Sequence, residues 1–329
     1  VSSSSSSLVS TSGDHLRRIA TTPAGILRQI MSKCRAHRQR RHEKAMSREP
    51  RSGASVMRLQ FHDCFVNGCD GSLLLDDTPT MLGEKLSLSN INSLRSYEVI
   101  DEIKEALETA CPHTVSCADI IIMASRDAVL LSGGPNWDVK LGRKDSLTAS
   151  QQDSDDIMPS PRANASMLID LFAKFDLSVK DLVALSGSHS IGKGRCFSIV
   201  FRLYNQSGTG QPDPTIEPMF RKKLNKLCPL GGDGNVTGGL DFTPQVFDNQ
   251  YFKDLVNGHG FLNSDESLFT YFKTRPYVRR YSEDELEFFR VFCGGDDKIG
   301  GRCNPGGRGR FVGIAGWLMG RRWMWWLGD

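Results

Sequence analysis

The segment Arg58-Leu59-Gln60-Phe61-His62-Asp63-Cys64 carries a cation and a base four residues apart. On a helix, residues i and i+4 share a face, so Arg58 and His62 would aim at one spot with Phe61 beside them. Heterolysis of a peroxide bond needs such a pair: a base to take the proton from one oxygen and a fixed positive charge for the oxygen that leaves. An isolated Arg/His pair is more often structural, the His in a polar core bond and the Arg on the surface. A second histidine, His189, follows an apolar stretch in Asp181 to Gly192 and is flanked by Gly187 and Gly192. Glycines there would let a flat macrocycle approach the backbone, although a His at a helix end is again more often structural. Two aspartates and a serine, Asp63, Asp70 and Ser72, surround the Asn67-Gly68 turn, which by themselves suffice only for a weak cation site.

The elements that must position these residues read as helices. Apolar periodicity and caps predict helices over Ala54–Phe65, Tyr97–Ala110, Ser116–Leu131, Ala165–Phe175, Val179–Ser186, Pro218–Leu227, Asn249–Val256 and Glu283–Phe292. Strand signals are few, and turn clusters at Ser132 to Pro135, Met158 to Pro161 and Gly231 to Gly239 punctuate the helices, so the fold class is mainly α. Residues 1–42 open with a serine tract and lack a clean apolar period, which predicts a disordered N-terminal segment. The basic run from Arg35 to Lys44 could meet a polyanion but is more simply a solvated segment. After Phe292 the composition turns to Gly, Arg and Trp, with no period that would pack onto a core. The sharp changes at both ends are what out-of-frame or mis-spliced translation would produce.

Composition narrows the class. A net charge of +3 with 24% charged residues gives no reason to expect a nucleic-acid partner. Nine cysteines in 329 residues are many for a reducing compartment, and sequons at Asn164, Asn205 and Asn235 agree with secretion. The opening serine run does not read as a basic, then apolar, leader, and the Val312 to Met319 run is too short to span a bilayer, so no membrane span is expected.

The segment Arg58 to Ser72, RLQFHDCFVNGCDGS, resembles the distal-helix signature of the class III plant peroxidases, and Asp181 to Gly192 resembles that family's proximal-haem signature. The similarity runs from about Glu43 to Phe292. It implies a haem peroxidase fold of two helical lobes around haem b, the distal lobe at about 43–164 and the proximal at about 165–292. His62 is then the general acid and base, Arg58 the electrostatic stabiliser, Phe61 the flanking ring, and Asn90, near Glu84, the acceptor of the His62 Nδ1 proton. His189 is implied as the iron ligand, with Asp265 accepting its Nδ1 proton and making it a stronger donor. Two calcium ions are implied, one on Asp63, Val66, Gly68, Asp70 and Ser72, the other on Ser190, Asp241, Thr243, Val246 and Asp248. At the second, Asp241 and Thr243 stand one residue closer than in the family pattern. Bridges Cys64–Cys69 and Cys196–Cys228 follow from the same resemblance, and Pro159 matches a proline at the edge of the aromatic-donor site. Family bridges from Cys111 to an N-terminal cysteine and from Cys117 to a C-terminal one do not fit the positions of Cys34, Cys293 and Cys303.

The expected activity is reduction of hydrogen peroxide with one-electron oxidation of small phenolic donors, such as wall phenolics, by a secreted monomer. The alternative is a non-catalytic, haem-free product that binds calcium or wall polyanions. A third reading, the intracellular ascorbate-using relatives, shares the histidine logic but lacks the four bridged cysteines.

Overall fold

The computed structural model describes residues 36 and 38–300; Cys34, Cys303 and the Val312 to Met319 run lie outside them. The chain folds as a mainly α protein. Helix α1 covers residues 38–48, and α2 (Ser52–Phe65) follows after a short turn. Next come α3 (Tyr97–Ala110) and α4 (Cys117–Leu131), then α5 (Gln151–Ile157), α6 (Ala165–Ala173) and α7 (Val179–Ser186). A three-residue strand β1 (Lys193–Arg195), helices α8 (Val200–Tyr204) and α9 (Pro218–Leu227), and strand β2 (Thr237–Gly239) lead to α10 (Gln250–Val256). The described chain closes with α11 (Asn263–Thr270), α12 (Arg275–Glu283) and α13 (Glu285–Gly300). The two strands pair antiparallel, Gly194 opposite Gly238.

Helix α4 is the central rod. Ser116 caps it by accepting from the Asp119 N–H, and Ile120, Ile121, Ile122, Ala124 and Ala128 leave nearly every face apolar, so it is buried all round. Its broadest contact is with α2, which fixes the helix that carries Arg58 and His62. One apolar cluster unites α2, α3 and α4 through Val56, Leu59, Ile100, Ile103 and Ile121. A second reaches from Phe65 to Phe288 and holds α2 to α7, α10, α12 and α13. The third surrounds the Cys196–Cys228 bridge with Ile199, Leu203 and Phe261. Helix α7 starts from a capping box between Ser178 and Asp181 and hands the chain through a 3-10 turn, Gly187–Ser190, to His189.

Several boundaries differ from the sequence expectation. The N-terminal segment is not disordered as far as residue 42, because residues 38–42 belong to α1 and two of them are core residues. Arg38 is 1% exposed and pairs with Asp127 at 2.9 Å, while His42 is 0% exposed. The basic run is therefore solvated only on one side: Arg40, Arg41 and Lys44 face out. At the other end the helix begun at Glu285 continues past Phe292 to Gly300, with Gly295 against Leu185 and Lys298 paired with both Asp181 oxygens at 2.7 and 2.9 Å. The helix expected over Glu283–Phe292 is thus α13, which starts two residues later and runs eight further, and α12 before it was not expected. Pro276 in the first turn starts α12, whose strongly polar composition hid it from an apolar-period reading. Helix α6 stops at Ala173, since Asp176 takes a positive φ of 53° three residues on. Short helices α5, α8 and α11 carry too few turns to show a period.

Cys64–Cys69 and Cys196–Cys228 are bridged, and Cys111 is disulfide-bonded as well. Cys117 is a free thiol, 1% exposed, at the first turn of α4.

Candidate active site

Arg58 and His62 share one face of α2, as their spacing requires, and they touch: Arg58 Nε donates to His62 Nε2 at 3.1 Å. The rest of the guanidinium is pinned to a loop, Nη1 donating to Ser93 Oγ at 2.6 Å and to the Ser93 carbonyl, Nη2 to the Ser89 carbonyl at 3.0 Å. On the other side of the imidazole, His62 Nδ1 lies 2.6 Å from Asn90 Oδ1. The orientation of Asn90 follows from its partners: its Nδ2 donates to the Glu84 carbonyl at 2.8 Å, leaving Oδ1 to face His62. His62 therefore carries its proton on Nδ1 and keeps a lone pair on Nε2. Burial, and secondarily the Arg58 charge, hold the His62 pKa well below its ordinary value. Burial, with Arg195 adding to it, lowers Arg58 to about 10, which still leaves it fully charged at neutral pH. Phe61 sets its ring edge-on to His62, centroids 5.7 Å apart.

The helix ends three residues after His62, at Phe65, and gives way to an oxygen-rich loop. Asn67 and Gly68 take φ of 62° and 108°, a turn that Gly allows at no steric cost, and the Cys64–Cys69 bridge closes it. Asp63 is fully buried and accepts from the Gly71 N–H at 3.1 Å, and Asp70 Oδ1 accepts from the Ser72 N–H at 3.1 Å. Glu84 is buried with neither carboxylate oxygen partnered, and the Ser72 hydroxyl is buried and unpartnered too. Desolvation raises Asp63 well above the carboxylate range and Glu84 to about 7, and the carboxylates add to one another. Anionic oxygens crowded without a counter-charge fit a bound cation.

His189 presents a different face. Its Nδ1 lies 2.8 Å from Asp265 Oδ1, while the ring is 37% exposed and Nε2 has no hydrogen-bond partner among the described residues. Asp265 is 2% exposed and its other oxygen accepts from the Leu262 N–H at 3.2 Å. Arg202, fully buried, steadies that turn by donating from one nitrogen to the carbonyls of Gly260, Phe261 and Leu262. A histidine anchored on one nitrogen and open on the other fits an axial ligand to haem iron. The flanking glycines serve protein packing rather than the clearance of a flat ligand: a Cβ on Gly187 would meet Phe288 at 2.4 Å, and one on Gly192 would meet Ala54 at 3.1 Å.

All five residues of the second oxygen set converge despite the short Asp241 to Thr243 spacing. Ser190 Oγ donates to the Val246 carbonyl at 3.1 Å and the Asp248 carbonyl at 2.8 Å, and Thr243 Oγ1 reaches Asp248 Oδ1 at 3.1 Å and Asp241 Oδ2 at 3.3 Å. Burial, with Asp248 and Asp254 contributing, raises Asp241 to about 8. Among the described residues no three His, Cys, Asp or Glu side chains converge as a metal cluster; both sets mix carboxylates with hydroxyls and carbonyls. Pro159 stands half-buried just past α5. Sequence reasoning missed Ser89, Ser93 and Tyr251, which hold Arg58 and Asp265 from outside any motif; long-range contacts leave no local signal.

Among the described residues no helix is long and apolar enough to cross a membrane. The family profile described as Peroxidase matches residues 39–284. Peroxidase 17 of Arabidopsis thaliana is 77% identical over 262 residues, which are 80% of this chain and 80% of that protein. Peroxidase 9 of the same plant is 50% identical, covering 76% and 73% of the two chains, and Peroxidase N of Armoracia rusticana is 47% identical, covering 79% and 80%.

Proposed function

The chain belongs to the class III plant peroxidase family, and from that premise we propose how its own residues carry out the reaction. It is a haem peroxidase that reduces hydrogen peroxide and oxidises a donor; neither the site nor the relatives support the haem-free alternative. When bound, haem supplies the redox iron that accepts the oxidising equivalents of peroxide and passes them to donors one electron at a time. His189 would hold the iron through Nε2, with Asp265 fixing its tautomer and lending it negative charge.

Peroxide enters where Arg58 Nε meets His62 Nε2. His62 Nε2 would take one proton from the first oxygen of peroxide and return it to the second, which would leave as water while the first oxygen and both oxidising equivalents pass to the haem iron. Arg58 stabilises the charge on the departing oxygen without moving far, because Ser89 and Ser93 hold its other nitrogens. Asn90 supports the reading by keeping the His62 proton on Nδ1. The carrying observation is this one imidazole, bonded to Asn90 on one side and to Arg58 on the other.

The oxygen sets around Asp63 and around Asp248 would each hold a calcium ion, with Val66 and Gly68 offering carbonyls at the first. Donors are small phenols approaching near Pro159, and the protein works as an extracellular or cell-wall monomer; the family and the bridged cysteines support these assignments. The test is reconstitution of the full chain with haem, followed by peroxide-driven oxidation of guaiacol. Activity lost in His62→Leu but with haem retained supports the scheme; unchanged activity in that variant sinks it.

A further inference from the structure

Asp265 Oδ1 receives two donors, not one. Besides the His189 imidazole at 2.8 Å, the Tyr251 hydroxyl donates to the same oxygen at 3.0 Å. Tyr251 lies on α10, is 1% exposed, and sets its ring edge-on to the His189 ring, centroids 6.1 Å apart at 86°. Packing alone would be served by Phe, which fills nearly the same space and brings no hydroxyl to satisfy in the core. Tyr251 Oη has its partner in Asp265, so the hydroxyl is accounted for by the carboxylate. Two donors on one oxygen divide its charge: each draws density that the other would otherwise receive.

We propose that Tyr251 is a positioning residue for the iron ligand, its hydroxyl limiting how much negative charge Asp265 lends to His189 and its ring fixing the imidazole plane. This rests on His189 being the ligand and Asp265 its acceptor.

The test uses the full chain reconstituted with haem and reads the iron–histidine stretch of the ferrous protein by resonance Raman, together with the ferric/ferrous midpoint potential. In Tyr251→Phe the carboxylate oxygen belongs to His189 alone, so the stretch rises and the potential falls. A fluorotyrosine at position 251, the same shape with a stronger donor, moves both the other way. Asp265→Asn is the reference, and it lowers the stretch strongly. If Asp265→Asn shifts the band while neither change at position 251 does, Tyr251 only fills space and the proposal is overturned. If Asp265→Asn leaves the band in place in a haem-loaded protein, the reading of the His189–Asp265 pair falls, and this proposal with it.

Discussion

At the scale of single residues, each histidine of the site commits Nδ1 to an acceptor and turns Nε2 toward the chemistry, that of His62 meeting the Arg58 Nε–H and that of His189 no hydrogen-bond partner among the described residues. His62 commits Nδ1 to Asn90, and His189 commits Nδ1 to Asp265. Removing the His62 base should slow peroxide consumption by about 10²- to 10⁴-fold, the usual share of general acid–base catalysis, measured by stopped-flow on the haem-loaded protein. Its pH profile carries a sign. Because burial and Arg58 hold His62 well below its ordinary pKa, the base stays unprotonated as pH falls through the usual histidine range. The peroxide step should therefore stay flat below pH 6.5, and Arg58→Leu, which removes a neighbouring positive charge, should move its acid limb upward. These two histidines and their acceptors were legible through the family resemblance; by spacing alone each histidine reads as structural. Ser89, Ser93 and Tyr251 were not, since their roles depend on loops and a helix that only the fold brings near.

At the scale of elements, α1 carries a cost that its sequence period could not reveal. Arg38 and His42 stand four apart on the face that packs inward, where a helix of this kind would normally place apolar side chains. Asp127 on α4 answers Arg38 at 2.9 Å and is shared with Arg126, but both His42 ring nitrogens are buried without a partner. Burial lowers His42 from 6.5 to about 4; Asp127 and Glu43 oppose that shift, and Arg38 adds to it. The unfolded chain therefore binds this proton first. Stability from His42 is complete above pH 6.5 and is lost as pH falls toward 4, a swing of about 3 kcal/mol. Thermal melts at stepped pH should show this limb in the parent and lose it in His42→Leu; a limb unchanged by the substitution would refute the assignment. Reading the basic run as solvated failed because tertiary burial overrode local polarity. The Cys196–Cys228 bridge, by contrast, was legible from its family spacing. Opening that 32-residue separation with a paired serine substitution should cost about 3 to 4 kcal/mol on the chain-entropy account, read by denaturant unfolding.

At the scale of the whole molecule, a mainly α architecture was readable from periodicity, and the long helices from Tyr97, Cys117, Val179 and Pro218 fall within a residue of expectation. The polar and short helices were not readable, because their register is set by neighbours such as Phe288 and Arg202 rather than by their own pattern. The two oxygen sets, at residues 63–72 and 190–248, each crowd carboxylates that need a counter-charge. Chelation with EGTA should lower the melting temperature, by about 2 to 4 °C for each kcal/mol of binding lost, with recovery on added calcium; a melt indifferent to both would exclude calcium from these sets. Cys117 has a consequence of another kind. Its thiol is 1% exposed, and burial, with Asp145 beside it, raises its pKa well above the ordinary range, so almost no thiolate exists while the fold is closed. An enzyme that consumes hydrogen peroxide thus keeps the Cys117 sulfur out of reach, and that sulfur becomes a clock. Alkylation at Cys117 can proceed only as fast as α4 is uncovered, so labelling time courses should report how often the central rod of the molecule opens.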